Sequence, residues 1–187
     1  MPRSVDWLIT SSGNYWAAMF GDLIAALAFL VLGFKWFSGP IVEAVSLLIL
    51  GYLSYGFLEY VVHRWVLHGP PSPARRSHAH HHAEPRALIS TPLFLIMSAA
   101  LAIWALIGLV VPAGVAALVL FGLYAGYNYF AFLHHWEHQH RHALANVTYF
   151  KRLEQGHDLH HHRPAVNFGI STTIWDRLFG TFRRSMS

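Results

Sequence analysis

Fifteen histidines are the residues of this 187-residue chain whose type and spacing could do chemistry, and all lie in two windows, His63 to His82 and His134 to His162. Each window contains the pattern His-x-x-His-His, as His78, His81, His82 and as His157, His160, His161. On a helix, positions i, i+3 and i+4 share one face, so each triplet would aim its imidazoles into a common pocket. Neutral imidazole is a metal ligand, and two such pockets would hold two metal ions. A solvated tract would explain a single run such as His80-His81-His82, but not a repeated pattern confined to two windows. The absence of cysteine excludes thiolate metal sites, disulfides and thiol catalysis.

The elements that must position these rings are membrane helices. Hydrophobic residues make up 55% of the chain and charged residues 12%, where a soluble domain carries about 25% charge; mean hydropathy is +0.37. A bilayer core needs roughly 20 apolar residues per helix. Four segments qualify: Trp16 to Trp36, Ile41 to Val62, Leu88 to Val111 and Ala113 to Leu133. The turns at Ser38-Gly39-Pro40 and Pro112 are short, which predicts two antiparallel hairpins. Eleven of the thirteen Lys and Arg residues fall in the histidine-bearing segments or the tail after them, and only Lys35 sits by a turn on the other side. The positive-inside rule then places both termini and both histidine windows in the cytoplasm. The expected fold is a single all-α, multi-pass integral membrane domain over residues 1–187, with four transmembrane helices and a cytoplasmic, helical, histidine-rich cap holding a dinuclear metal site.

The basic balance, +4 at neutral pH, fits an anionic leaflet surface beside the spans rather than nucleic acid. Residues 1–15 have no apolar signal-peptide core and are read as an interfacial segment around Trp7, Leu8 and Ile9. Asp22 lies within the first span and is either functional or the mark of a later helix start. Tyr127, Tyr129, Phe130 and Phe132 are read as an interface belt or packing rather than an acyl slot. Between the hairpins, Gly69-Pro70-Pro71-Ser72-Pro73 breaks the helix, which resumes near Arg75 and ends before Pro85. A second helix is expected from Tyr149 to His161, and the aromatic run Trp175 to Thr181 should pack against the site or the membrane surface.

His63 and His68 sit at the end of the second span. Their five-residue step is out of α-helical register, which predicts a local distortion between them. The third cluster allows three pairings: His134 with His138, His138 with His142, or, if Tyr52, Tyr55, His63 and Tyr124, Tyr127, His135 mark an internal repeat, His135 with His140. We take His134 and His138, because His134 lies nearest the predicted membrane exit, at the depth of His63. Imidazole alone does not select a metal. Eight to ten histidines in four boxes nevertheless exceed the four ligands of structural zinc and the three of catalytic zinc, which favours two irons.

The boxes His63-x4-His68, His78-x2-His81-His82, His134-x3-His138 and His157-x2-His160-His161 resemble those of the fatty acid hydroxylase and sterol desaturase superfamily. Asn167-Phe168-Gly169 and Trp175-Asp176-Arg177-Leu178-Phe179-Gly180-Thr181 look like its C-terminal signature, so the resemblance covers about residues 50–182. It implies a membrane-bound, non-haem di-iron enzyme with O2 as co-substrate and zinc as a possible substitute metal. The implied reaction hydroxylates a fatty acyl chain or sterol-like lipid with electrons from a separate redox protein. The implied metal ligands are His63, His68, His78, His81, His82, His134, His138, His157, His160 and His161. His80 and His162 fall outside the pattern. Ten imidazoles bring no negative charge, and Glu59 and Asp158 are the nearest carboxylates for orienting a ring N–H. A lipid desaturase or carotenoid hydroxylase is the nearest alternative. A membrane metal transporter or metal-binding protein is the alternative of a different class, but transport predicts ligands in mid-span, where the sequence has no histidine.

Overall fold

The computed structural model describes residues 4–139 and 146–184. Its elements are α1 (Ser4–Ile9), α2 (Ser12–Trp36), α3 (Ile41–Val61), α4 (Pro73–Ala83), α5 (Leu93–Ile107), α6 (Ala113–Gln139), α7 (Thr148–His162) and α8 (Ile174–Leu178), with a π-helical turn at Val62–Leu67 continuing α3. No strand occurs among the described residues. Among the described residues, three helical stretches are long and apolar enough to cross a membrane: Ser12–Trp36, Ile41–Leu67 and Ala113–Gln139. The contacts divide the chain into two compact units, Met1–Tyr55 with Leu88–Asn128, and Gly56–Ala87 with Tyr129–Ser187.

The first unit is built on apolar helices with small residues where they meet. Ala26, Phe29, Ala100, Ala117, Leu120 and Tyr124 form its buried core. Val31, Ile41, Val42, Leu50 and Leu106 remain more than half exposed. Such an outward apolar surface is costly in water and suited to lipid. α3 and α6 cross at Gly51 and Gly122. A Cβ on Gly51 would stand 2.1 Å from the Val119 carbonyl oxygen, and one on Gly122 the same distance from that of Leu48. Backbone approach this close requires glycine, and in a membrane it gives the van der Waals contact that drives helix association. Gly122→Val should therefore force the helices apart, costing at least the ~1–3 kcal/mol of ordinary overpacking. A lowered thermal midpoint of the detergent-solubilised protein would register the loss.

The third expected span, Leu88 to Val111, is shorter than the sequence suggests. α5 has 15 residues, about 22 Å at 1.5 Å per residue. Its start is delayed because residues 90–92 are committed elsewhere. The Ser90 N–H donates to the Ile9 carbonyl (3.1 Å), the Asn14 amide donates to Ser90 Oγ (2.8 Å), and Asn14 Oδ1 accepts the Leu93 N–H (3.3 Å). Pro92 keeps the preceding backbone extended. Asp22 does not mark a late start to α2, which begins at Ser12 behind the Ser11 cap. It is 1% exposed, well inside the helix.

The second unit supplies the ends of the long helices, α4, α7, and a C-terminal strap over residues 163–184. Ser72 caps α4 by accepting the Arg75 N–H (3.1 Å), and Pro73 takes the first turn, where its missing N–H is harmless. The strap is held by two buried carboxylates. Asp176, 0% exposed, accepts the Phe168 N–H (2.8 Å), the Gly169 N–H (2.7 Å) and the Thr181 hydroxyl (2.7 Å). Glu59 accepts the Ile170 N–H (2.5 Å), the Ser171 N–H (2.9 Å) and the Ser171 hydroxyl. A relay joins the strap to the end of α3: Arg64 donates to the Tyr60 hydroxyl (2.6 Å), which reaches Thr181 Oγ1 (3.1 Å). Asn167 turns the strap in the left-handed region, at φ 52°. Its side chain spans Gly156 O (3.2 Å), Arg183 O (3.0 Å) and Arg183 N (2.7 Å).

Candidate metal centre

Among the described residues, ten histidine side chains converge in two groups of five within the second unit. His63, His68, His78, His82 and His160 form one, and His81, His134, His138, His157 and His161 form the other. In each group the nitrogens lie within 4.8 Å of one another. Each His-x-x-His-His triplet is divided between them: α4 sends His78 and His82 one way and His81 the other, and α7 does the same with His160 against His157 and His161. The three rings of a triplet thus do not share one pocket, as the i, i+3, i+4 argument expected. Successive positions on a helix differ by about 100°, so a helix lying between two centres serves both.

The π turn explains the first box. A π-type bond runs from the His68 N–H to the His63 carbonyl (3.1 Å), and the inserted residue brings the two rings to 5.1 Å between centroids. At the third cluster, His134 and His138 lie one turn apart on α6 and enter the second group. His135 is buried but belongs to neither group, being about 100° around the helix. His140 and His142 lie outside the described residues. His80 is exposed and lies 3.8 Å from Glu84, and the His162 ring meets the Asp158 carbonyl (2.8 Å).

The nitrogen spacing tests whether these residues suit a metal. His78 Nε2 lies 3.0 Å from that of His63, 2.9 Å from that of His68 and 3.0 Å from that of His82. One imidazole nitrogen is either a donor or an acceptor and cannot serve three others, so hydrogen bonding does not account for the cluster. Coordination does. With metal–nitrogen bonds of about 2.1 Å, ligands at right angles stand about 3.0 Å apart and tetrahedral ones about 3.4 Å. In the second group His134 to His81 is 3.0 Å, His138 to His157 is 2.8 Å and His161 to His157 is 3.1 Å. Both groups suit five or six ligands, more than zinc takes in structural sites.

Ring orientation comes from the strap. His63 Nδ1 meets the Phe168 carbonyl (2.5 Å) and His160 Nδ1 the Val166 carbonyl (2.8 Å). A donated Nδ1–H fixes the tautomer that leaves the Nε2 lone pair inward. The Phe168 ring packs 5.8, 5.7 and 5.6 Å from those of His63, His68 and His160, and Phe130 stacks on His134 at 5.6 Å. Neither expected carboxylate orients a ring: Glu59 is spent on the strap, and Asp158 is exposed. The buried carboxylate that the sequence reading passed over is Glu137. It adjoins His138, and both its oxygens are buried without a hydrogen-bond partner.

Burial first, then neighbouring imidazoles, depresses basicity across the cluster: His81 falls to about 3 and His161 to about 2. His68 falls to about 4 and His160 to about 3, and His78 and His157 move in the same direction. The rings are therefore neutral, with lone pairs available, at physiological pH. A lowered folded-state pKa means the unfolded chain binds more protons below 6.5, so stability falls as the solution is acidified. We expect the histidine contribution to the stability of the metal-free protein, read as the difference from variants lacking these rings, to be constant above pH 6.5 and to fall progressively towards pH 4. Buried His160 alone would contribute about 1.4 kcal/mol per pH unit.

Comparison with known proteins follows this geometry. Residues 48–181 match the model of the family described as fatty acid hydroxylase. A dihydroceramide fatty acyl 2-hydroxylase of Arabidopsis thaliana, FAH2, is 29% identical over 140 residues, covering 70% of this chain and 58% of that protein. The ceramide very long chain fatty acid hydroxylase scs7 of Schizosaccharomyces pombe is 28% identical over 155 residues (76% and 44%), and the fatty acid 2-hydroxylase of Mus musculus 28% over 149 residues (73% and 39%). The chain thus spans about half the length of these relatives. A solved structure of full-length scs7p, in which only the hydroxylase domain is visible, superposes with a TM-score of 0.77 at 18% identity. It covers 99% of this chain and 72% of that one, a likeness of fold.

Proposed function

The chain belongs to the fatty acid hydroxylase family, and from that premise we propose that it is a membrane-bound di-iron oxidoreductase. Its reaction inserts one oxygen atom of O2 into a C–H bond of a lipid acyl chain. The observation that carries this reading is the pair of five-imidazole groups at right-angle nitrogen spacing. Relatives named fatty acyl 2-hydroxylase and fatty acid 2-hydroxylase point to the carbon next to the acyl carbonyl as the target. In this reading His63, His68, His78, His82 and His160 hold one iron, and His81, His134, His138, His157 and His161 the other. Zinc is a possible substitute. The chain crosses the membrane four times, with α5 and its apolar flanks as the third crossing. Both termini and the histidine segments face the cytoplasm, where a separate redox protein delivers electrons.

A pair of bound irons supplies the reductive activation of O2 that an unactivated C–H bond requires, at the expense of two external electrons. The protein's own residues do the rest. The Phe168 and Val166 carbonyls hold His63 and His160 in the tautomer that presents Nε2. Phe168 packs edge-to-face against His63, His68 and His160, and Phe130 stacks on the ring of His134. The test is aerobic turnover of iron-loaded protein with a reductant system and a lipid extract, read by mass spectrometry. A product heavier by one oxygen atom supports hydroxylation. Loss of two hydrogens would make the protein a desaturase, and metal flux in vesicles without oxygen consumption would make it a transporter.

A further inference from the structure

Ten neutral imidazoles bring no negative charge to two metal ions, which leaves a charge for metal-bound hydroxide or a nearby carboxylate to supply. The carboxylates proposed from sequence do not: Glu59 is hydrogen-bonded to the strap and Asp158 is exposed. Glu137 stands on α6 one residue before His138 and three after His134, on the stretch that gives the second group two of its rings. Among the described residues, both its oxygens are buried with no hydrogen-bond partner, and so are the Nδ1 atoms of His157 and His161. The charged groups within its electrostatic reach, among the described residues, are Glu154, Glu59 and Asp158, all acidic. The Nε2 of His138, the next residue, lies 2.8 Å from that of His157, so Glu137 stands on the part of α6 that adjoins that ring.

A carboxylate cut off from water, without a donor and among like charges, burdens the fold unless a donor or a cation compensates it. The second histidine group offers both: an uncommitted Nδ1–H on His157, and a place for a divalent cation. We infer that Glu137 is a positioning residue that accepts the Nδ1–H of His157 through one bridging water and supplies the negative charge the ten imidazoles lack. His63 and His160 receive their orientation from backbone carbonyls of the strap, so the two groups are oriented by different means. The inference rests on reading the ten histidines as metal ligands.

The test is a cobalt(II) titration of the full chain in detergent, followed by its d–d absorption, with thermal midpoints of the metal-free proteins alongside. Wild type should bind two equivalents. Fewer than two would overturn the reading of the site itself, and the inference with it. Glu137→Gln keeps the shape but loses the charge, and should weaken one equivalent by roughly 10–100-fold while leaving the other unchanged. It should also raise the midpoint of the metal-free protein, because an uncompensated buried carboxylate is gone. A purely structural glutamate would move that midpoint down. Glu137→Asp should bind the affected equivalent with intermediate affinity. Two equivalents bound with wild-type affinity by Glu137→Gln would overturn the assignment. Should Glu137→Gln fail to fold, wild-type affinity in Glu137→Asp would do the same.

Discussion

Replacing His81 by alanine is expected to lower lipid oxidation at least about a hundredfold and to leave the protein with one metal ion in place of two. His81 is 6% exposed, and its ring lies 4.6, 4.7 and 4.8 Å from those of His134, His138 and His161. Loss of a partner behind a ligand already costs roughly 10–100-fold in metal affinity or activity, so loss of the ligand itself should cost no less. The substitution also separates this assignment from its neighbour on α4. His80, exposed beside Glu84, belongs to neither group. His80→Ala should therefore leave metal content and turnover unchanged. Metal analysis and product quantitation on the two variants, side by side, check both expectations.

The second large effect is expected at a residue that touches no metal. Asp176→Ala removes the acceptor for the Phe168 N–H, the Gly169 N–H and the Thr181 hydroxyl at once. Each buried donor left unsatisfied costs about 1–3 kcal/mol, so a loss of at least about 3 kcal/mol is expected, enough to free the strap. Phe168 would then no longer hold its carbonyl on His63 Nδ1, and its ring would leave three imidazoles of the first group. Metal should be lost from that group before the second, and turnover with it. Asp176→Asn keeps one acceptor oxygen and should fall between. Denaturant unfolding of the metal-free proteins measures the stability cost, and metal content after desalting measures the consequence.

The histidine boxes were legible because coordination imposes spacing that a single helix can display. His78 with His82, and His134 with His138, are i, i+4 pairs, and a five-residue step between His63 and His68 demanded the π turn found there. The division of each triplet between two groups was not legible, since a shared helical face says nothing about how many centres that face meets. The strap was visible as an aromatic signature, but its function was not. Asp176, Glu59 and the carbonyls of Val166 and Phe168 act across more than one element, and only the folded chain brings them to their partners. Glu137 escaped for a related reason: a glutamate between Trp136 and His138 reads as an ordinary solvated position until its oxygens are seen to be buried. The length of α5 was not legible because Leu88 and Ile89 before it and Leu109 to Val111 after it share the apolar character of a span, while Asn14, 79 residues earlier than Leu93, caps the helix.

The most direct test of the dinuclear centre is the metal content of purified wild-type protein after anaerobic loading with ferrous iron and removal of the excess. Two irons per chain is the predicted result. One iron per chain, or none retained, would contradict it.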